Sequence, residues 1–396
     1  MNMFKQIKES ISNKSIHDFM KFAEPKDVCI ICKKEYPPSS FNRGCSNKIC
    51  HECYDDLTEC VNCGKRSVNL NKHGICKRCL HDTAYVNSYG HKPRPMYHRV
   101  YQDEVICTDI QGKYLHFGVE LETDAHGHIK GNSLASFVRL ISKGLSGREC
   151  LLYVKEDSTC YYEFVSHPFS WKYLNTFGKD IFQTLFKALR QDNYVGHTGD
   201  DCGMHVHVSK KAVKRTSLMK ILSLMYNPDN YDFILHVSQR TGERLNEWAT
   251  PQLSRHFLYD IPNPYSYLAK LSFDNETSEI DSHIGRSVAV NLLPKNTIEF
   301  RLFRGTLNYN SFIKNLEFVK SVIDWSNIVS WNTAKYNSLT SYLKFLKENQ
   351  NNYTELCFFL KRRGYGNFKN ASDKMTRKHL TKLSQLKYDS DAKEAI

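Results

Sequence analysis

Two histidines one residue apart, His205 and His207, stand in CGMHVHVS among Met204, Val206 and Val208. Alternation with a period of two is the mark of a half-buried strand, so both imidazoles share the face opposite the apolar residues. The same arithmetic applies to three further segments. In FGVELE, Val119 and Leu121 take one face and Glu120 and Glu122 the other; in TIEFRLF, Ile298, Phe300 and Leu302 are the apolar set and Glu299 pairs with Arg301. In CYYEFVS, Glu163 stands opposite Tyr162 and Phe164. An antiparallel sheet with one wet face shows this alternation without any function, and a lone HxH is more often structural than ligating. Recurrence over four strands favours a shared polar cleft. Four glutamates gathered there would repel one another and hold their protons unless cations compensated them, and a divalent metal is the economical remedy.

A second concentration of chemistry lies near the N-terminus. Of 14 cysteines, nine fall between Cys29 and Cys79, most of them in CxxC pairs: Cys29/Cys32, Cys50/Cys53, Cys60/Cys63 and Cys76/Cys79. Each pair presents two thiolates to one tetrahedral ion, which points to zinc in a chain without an evident export signal. Sequential ligation gives one site from Cys29, Cys32, Cys50 and Cys53 and another from Cys60, Cys63, Cys76 and Cys79; an interleaved cross-brace is the competitor, with Cys45, His51 and His73 as spare donors.

The formal charge of +13 invites a nucleic-acid partner, yet the excess sits at the two ends of the chain, while residues 100–360 carry equal numbers of basic and acidic side chains. Four thiolates and one zinc leave each site with two negative charges, which further weakens that case. Nucleic-acid binding through the cysteine module or the basic tail is therefore not favoured. No apolar run approaches the length of a membrane span, and the start MNMFKQIKESISNKSIHDFM is charged where a signal peptide is apolar. The expectation is a cytoplasmic protein.

The elements that must position these groups follow from periodicity. Strands are expected over 114–122, 151–157, 160–166, 203–209, 287–293 and 297–303, and helices over 133–145, 171–191, 218–226, 309–329 and onward to Leu360. That is an α+β layout, a sheet backed by helices. The divisions expected are an N-terminal helix over 1–24, a zinc-binding module over 25–95, a catalytic domain over 96–362 and a basic tail over 363–396, with a Pro- and Tyr-rich joint at 89–102.

Four segments in order, FGVELE, KEDSTCYYEFVSHP, CGMHVHVS and SVAVNLLPKNTIEFRLFRGTLN, resemble the phage- and bacteria-associated amidoligases of the carboxylate–amine ligase superfamily, relatives of glutamine synthetase. The likeness covers roughly residues 114–325. It implies a curved, mainly antiparallel sheet forming a funnel, with ATP and Mg2+ at its mouth, and amide formation through an acyl phosphate. It also implies Glu120, Glu122, Glu163, His207 and Glu299 as magnesium ligands, with His205 the second imidazole. Arg301, Arg304 and Arg286 would meet the phosphates, guanidinium offering a planar fork. The substrates, an acid and an amine, are unspecified; a protein, peptide or cell-wall component and a viral origin, with action in host cytoplasm, fit the likeness. One departure is the turn EDSTCYYE, where similar sequences carry Asp-Gly-Ser and a glycine before the glutamate. The rival readings are a metal-dependent hydrolase or nuclease using the HxH pair, and a non-catalytic zinc-finger binding protein.

Overall fold

The structure is a computed structural model that describes residues 26–41, 48–59, 66–68, 70, 76, 85–93, 95–101, 104–108, 114–124, 128, 130–146, 150–196 and 201–365. The helix expected over 1–24, the tail beyond 365, and Cys45, Cys60, Cys63, His73 and Cys79 lie outside the described residues. The chain divides into two compact units between Lys77 and Arg78.

The first unit has little to bury. A two-residue antiparallel ladder joins β1 (Asp27–Val28) to β2 (Glu35–Tyr36), followed among the described residues by a 3-10 turn over Pro38–Ser40 and a short helix, α1 (His51–Asp55). Its buried centre is Cys29, Phe41, Ile49 and Cys50. So small an apolar cluster needs a staple, and half of it is cysteine.

The second unit is built on a ten-stranded, mainly antiparallel open sheet. Its strands are β3 (Val86–Asn87), β4 (Tyr97–Tyr101), β5 (Glu104–Thr108), β6 (His116–Thr123), β7 (Leu152–Glu156), β8 (Tyr162–Ser166), β9 (Phe169–Ser170), β10 (Gly203–Ser209), β11 (Val290–Asn291) and β12 (Thr297–Arg304). The principal order is β11-β12-β10-β6-β8-β7-β3, with β9 bridging β4 and β6. Because β3 pairs with β7, residues 86–87 belong to this sheet, and the joint expected at 89–102 runs into the β4–β5 hairpin. The division therefore falls earlier than the expected boundary near 95. The strand expected over 287–293 is only two residues long, since Asn291 ends its pairing with β12 at Glu299.

Helices cover one face of the sheet. They are α2 (Gly131–Ser146), α3 (Lys179–Gln191), α4 (Arg215–Tyr226), α5 (Tyr231–Ser238), α6 (Gly242–Trp248), α7 (Arg255–Asp260), α8 (Pro264–Asp274), α9 (Thr277–Ile284), α10 (Tyr309–Ile328), α11 (Trp331–Glu348) and α12 (Thr354–Arg362). The run α5 to α9 was not read from periodicity, its pieces being too short to repeat an apolar stripe. Phe117, Val119, Leu121, Met204, Val206, Val208, Ile298, Phe300 and Leu302 all join the same buried core as Phe182, Leu222, Phe312 and Phe318 of the helices. Asn308 caps α10, its side chain accepting from the Ser311 amide at 3.0 Å. Among the described residues no helix is long and apolar enough to cross a membrane.

With their apolar partners committed to the core, the alternate residues of these strands are sent to the other face. This is how a period-two pattern becomes a site.

Candidate active site

Strand register brings the expected groups together on three adjacent strands. His205 of β10 is opposite Glu120 of β6, and His207 is opposite Gly118 on one side and Glu299 of β12 on the other. His205 Nδ1 lies 3.3 Å from Glu120 Oε2 and 3.6 Å from Glu299 Oε1, while its Nε2 faces Glu122 Oε1 at 3.6 Å. His207 Nε2 lies 3.4 Å from Glu120 Oε1 and its Nδ1 3.2 Å from the Thr297 hydroxyl. Arg301 donates to Glu299 Oε1 at 2.5 Å, and the Asn291 amide donates to Glu299 Oε2 at 2.8 Å.

The electrostatics follow from this mixture. Burial alone would raise the Glu120 carboxyl, but the charges and hydrogen bonds of His207 and His205 hold it well below the usual range. Glu299 is lowered too, burial being outweighed by His207, His205 and Arg301. His207 moves up to about 9: burial opposes its charge, and Glu120 and Glu299 win. Glu163 behaves differently. Burial and the nearby Glu120 push it up to about 7 against the pull of Lys155, whose ammonium donates to it at 2.7 Å.

Placement thus departs from expectation at several positions. The group whose donor atoms lie within 4.8 Å of one another is Glu120, His205 and Glu299, so His205 rather than His207 stands at its centre. Glu163, expected among the metal ligands, is paired with Lys155 instead, because β7 sets Lys155 opposite Glu163 on the same face. Glu122 also accepts from the Gly203 amide. Arg286 is exposed on the segment after α9, with no bond among the described residues to the cluster. Arg304 is opposite Gly203 at the end of β12. Strict alternation would turn Arg304 toward the core; a bulge, in which Met204 to Val206 spans Phe303 to Phe300, restores it to the polar face.

Two functional candidates escaped the sequence reading. Lys155 was legible in principle, since LLYVKED alternates and places Tyr153 and Lys155 together. Arg240 was not: it follows α5 after a left-handed Gln239 (φ 60°) and is 2% exposed. Its Nη2 lies 2.6 Å from the point where a Cβ on Gly203 would stand, a point 3.1 Å from His205 Nε2 and 3.2 Å from Glu122 Oε2. The missing side chain of Gly203 is what admits this guanidinium.

Glu120, His205 and Glu299 could together hold a divalent cation, the two carboxylates suiting Mg2+ or Mn2+, with Glu122 alongside and bonded to the Gly203 amide. In the first unit Cys29, Cys32, Cys50 and Cys53 assemble within 4.8 Å, as sequential ligation expects, and could hold zinc. There, burial raises Cys29, but the amides of Cys50, Cys32 and Ile31 bring it down to about 6, favouring the thiolate a metal requires. Of the second expected site only Cys76 is described, and it is buried.

A separate set of buried imidazoles lies apart from the carboxylates. His98 of β4 and His167 after β8 are 6.2 Å apart between ring centres, and burial drives both down to about 3. His116, with the Arg99 charge adding to burial, falls to about 4.

No curated protein matches the chain. Residues 147–323 match the model of a family described as "Putative amidoligase enzyme", a span that holds Glu163, His205, His207, Glu299, Arg301 and Arg304 and begins after Glu120 and Glu122.

Proposed function

We propose that the chain is an ATP-dependent ligase that joins a carboxylate to an amine on the polar face of the sheet, within a glutamine synthetase-like fold. The observation that carries this reading is the meeting of Glu120, His205 and Glu299 from three strands, with Arg301 beside them, in a chain matching an amidoligase model over 147–323. Glu120, Glu122 and Glu299 would hold Mg2+, which supplies positive charge to the polyphosphate when bound. The substrate carboxylate attacks the γ-phosphorus of ATP and releases ADP; the amine then attacks the acyl phosphate and releases phosphate. Arg301, Arg304 and Arg240 offset the charge that builds on the transferring group. Glu163, bonded to Lys155 and opposite Glu122, would take the amine's proton.

One zinc sits on Cys29, Cys32, Cys50 and Cys53 of the first unit and a second on Cys60, Cys63, Cys76 and Cys79, and the cysteine-rich part recruits the substrate or a protein partner. A peptide, protein or cell-wall acceptor in a phage-infected cytoplasm suits the charge distribution better than nucleic acid does.

The test is incubation of the purified chain with MgATP or MnATP and pools of amino acids, peptides and cell-wall precursors, following ADP and phosphate. Phosphate release that requires both an acid and an amine is expected, with Glu120→Gln and Arg301→Ala inactive yet folded. Turnover retained in both variants, or bond cleavage that proceeds without ATP, refutes the reading. Elemental analysis should find about two zinc ions per chain by the four-thiolate rule, and a zinc-free protein would remove the role given to the first unit.

A further inference from the structure

We propose that Cys160 and Cys202 are a cross-linking pair, a site of covalent modification at which a small-molecule disulfide oxidant joins the start of β8 to the start of β10. Although 42 positions separate them in sequence, their Sγ atoms are 2.7 Å apart. Each residue is 4% exposed. A disulfide bond is about 2.05 Å long, so closing the link asks only a small side-chain adjustment.

The sheet explains the meeting. Central strand β6 has β8 on one side and β10 on the other, with Thr123 opposite Tyr162 and Leu121 opposite Met204. Cys160 keeps the phase of Tyr162 and Phe164, and Cys202 that of Met204 and Val206, so both thiols belong to the apolar side at the same end of the sheet. Both sit on braced backbone. The Asp157 carboxylate accepts from the amides of Thr159 and Cys160, each at 2.8 Å, and from the Thr159 hydroxyl at 2.7 Å. The Cys202 carbonyl accepts from the Gly305 amide at 2.8 Å. The departure EDSTC therefore still makes a tight turn, with Asp157 as its brace and a thiol at its end. Among the described residues no third metal-donating side chain joins these two sulfurs in a cluster, so metal ligation does not account for the pair.

The chemistry is thiol–disulfide exchange. One cysteine thiolate attacks a sulfur of the oxidant and expels one small thiol, leaving a mixed disulfide. The second thiolate attacks the protein sulfur of that bond and expels the other small thiol. Two protein thiols lose two protons and two electrons, which the two released thiols carry away. The link would tie together the strands that bear Glu163 and the Gly203 amide bonded to Glu122, bracing the polar face from behind.

The experiment uses the full chain, reduced, then incubated with oxidised glutathione, quenched with an alkylating reagent, digested and mapped by mass spectrometry. A peptide pair joined through Cys160 and Cys202 is expected, with a melting midpoint at least about 5 °C above the reduced sample. Cys160→Ala and Cys202→Ala should each lose that shift; comparing oxidised with reduced samples of one variant removes any effect of the substitution itself. Recovery of the two cysteines as separately alkylated or glutathionylated peptides overturns the proposal, as does a link that leaves the midpoint unchanged or lowers it.

Discussion

His207, half-buried, and His167, buried, belong to one sheet-based unit, yet one is driven up to about 9 and the other down to about 3. Desolvation disfavours charge at each. The difference is the company: His207 faces Glu120 and Glu299, whereas the charged neighbour that acts on His167 is another imidazole, His91. The carboxylates tell the same story in reverse. Glu299, among two histidines and Arg301, is lowered, while Glu317, which accepts from the Leu356 amide at the start of α12, is pushed up to about 7, chiefly by burial. Around Glu120, Glu299, His207 and Arg301, opposite charges lie beside one another, whereas among the described residues the buried Lys210 ammonium has only the Ser272 carbonyl and is lowered to about 8 by burial. The β6–β10–β12 face thereby holds groups of opposite charge side by side in a partly buried setting.

The comparison can be broken most forcefully at Glu299. Glu299→Ala leaves Arg301 without its carboxylate and the two imidazoles with Glu120 and Glu122 alone, and should cost about 3–5 kcal/mol in urea unfolding, the range for one-sided removal of a buried ion pair. A loss under 1 kcal/mol would mean that the cluster is well hydrated. Next comes the alkaline side. Because the folded value of His207 exceeds that of the unfolded chain, its stabilising contribution is complete below about pH 6.5 and lost as pH rises through about 9. In chelator-treated protein the decline between pH 6 and 8.5 should be about 2 kcal/mol, and His207→Gln should flatten it.

The acid side gives the mirror image. The folded value of His167 lies below the unfolded one, so the unfolded chain takes up the proton first and stability falls as pH drops from about 6.5 toward 3. By pH 5 the loss from His167 should be about 2 kcal/mol. His167→Gln should remove it, as measured by denaturant midpoints at pH 7.5 and 5; equal slopes for variant and parent would end the contrast between the two histidines. The smallest effect is expected at Gly203. Gly203→Ala puts a methyl group 2.6 Å from Arg240 Nη2 and should cost about 1 kcal/mol while lowering turnover, since the displaced guanidinium lies beside Glu122 and His205. A fully active Gly203→Ala would remove Arg240 from the site.

How much of this was legible depends on the range of the signal. The faces of β6, β8, β10 and β12 could be read from four short segments, because alternation is a property of adjacent residues and the core takes whichever face is apolar. The CxxC spacing likewise identified the pairs Cys29/Cys32 and Cys50/Cys53, since two thiolates on one hairpin are a local arrangement; that the two pairs meet, and not an interleaved set, was decided by the fold. Arg286 was misjudged for the same reason that Arg240 was missed: a lone basic residue outside a strand has no phase to read.

By itself, then, the sequence determined which side chains share a strand face and which cysteines stand in CxxC pairs, both local properties of the chain, while the grouping of two pairs around one point came from the fold. Only the tertiary structure decided that His205 is central, that Lys155 claims Glu163, that a bulge turns Arg304 outward and that Arg240 enters over Gly203. Those outcomes rest on register and on contacts between segments tens of residues apart, where burial and charge are settled jointly and no local pattern can specify the partner.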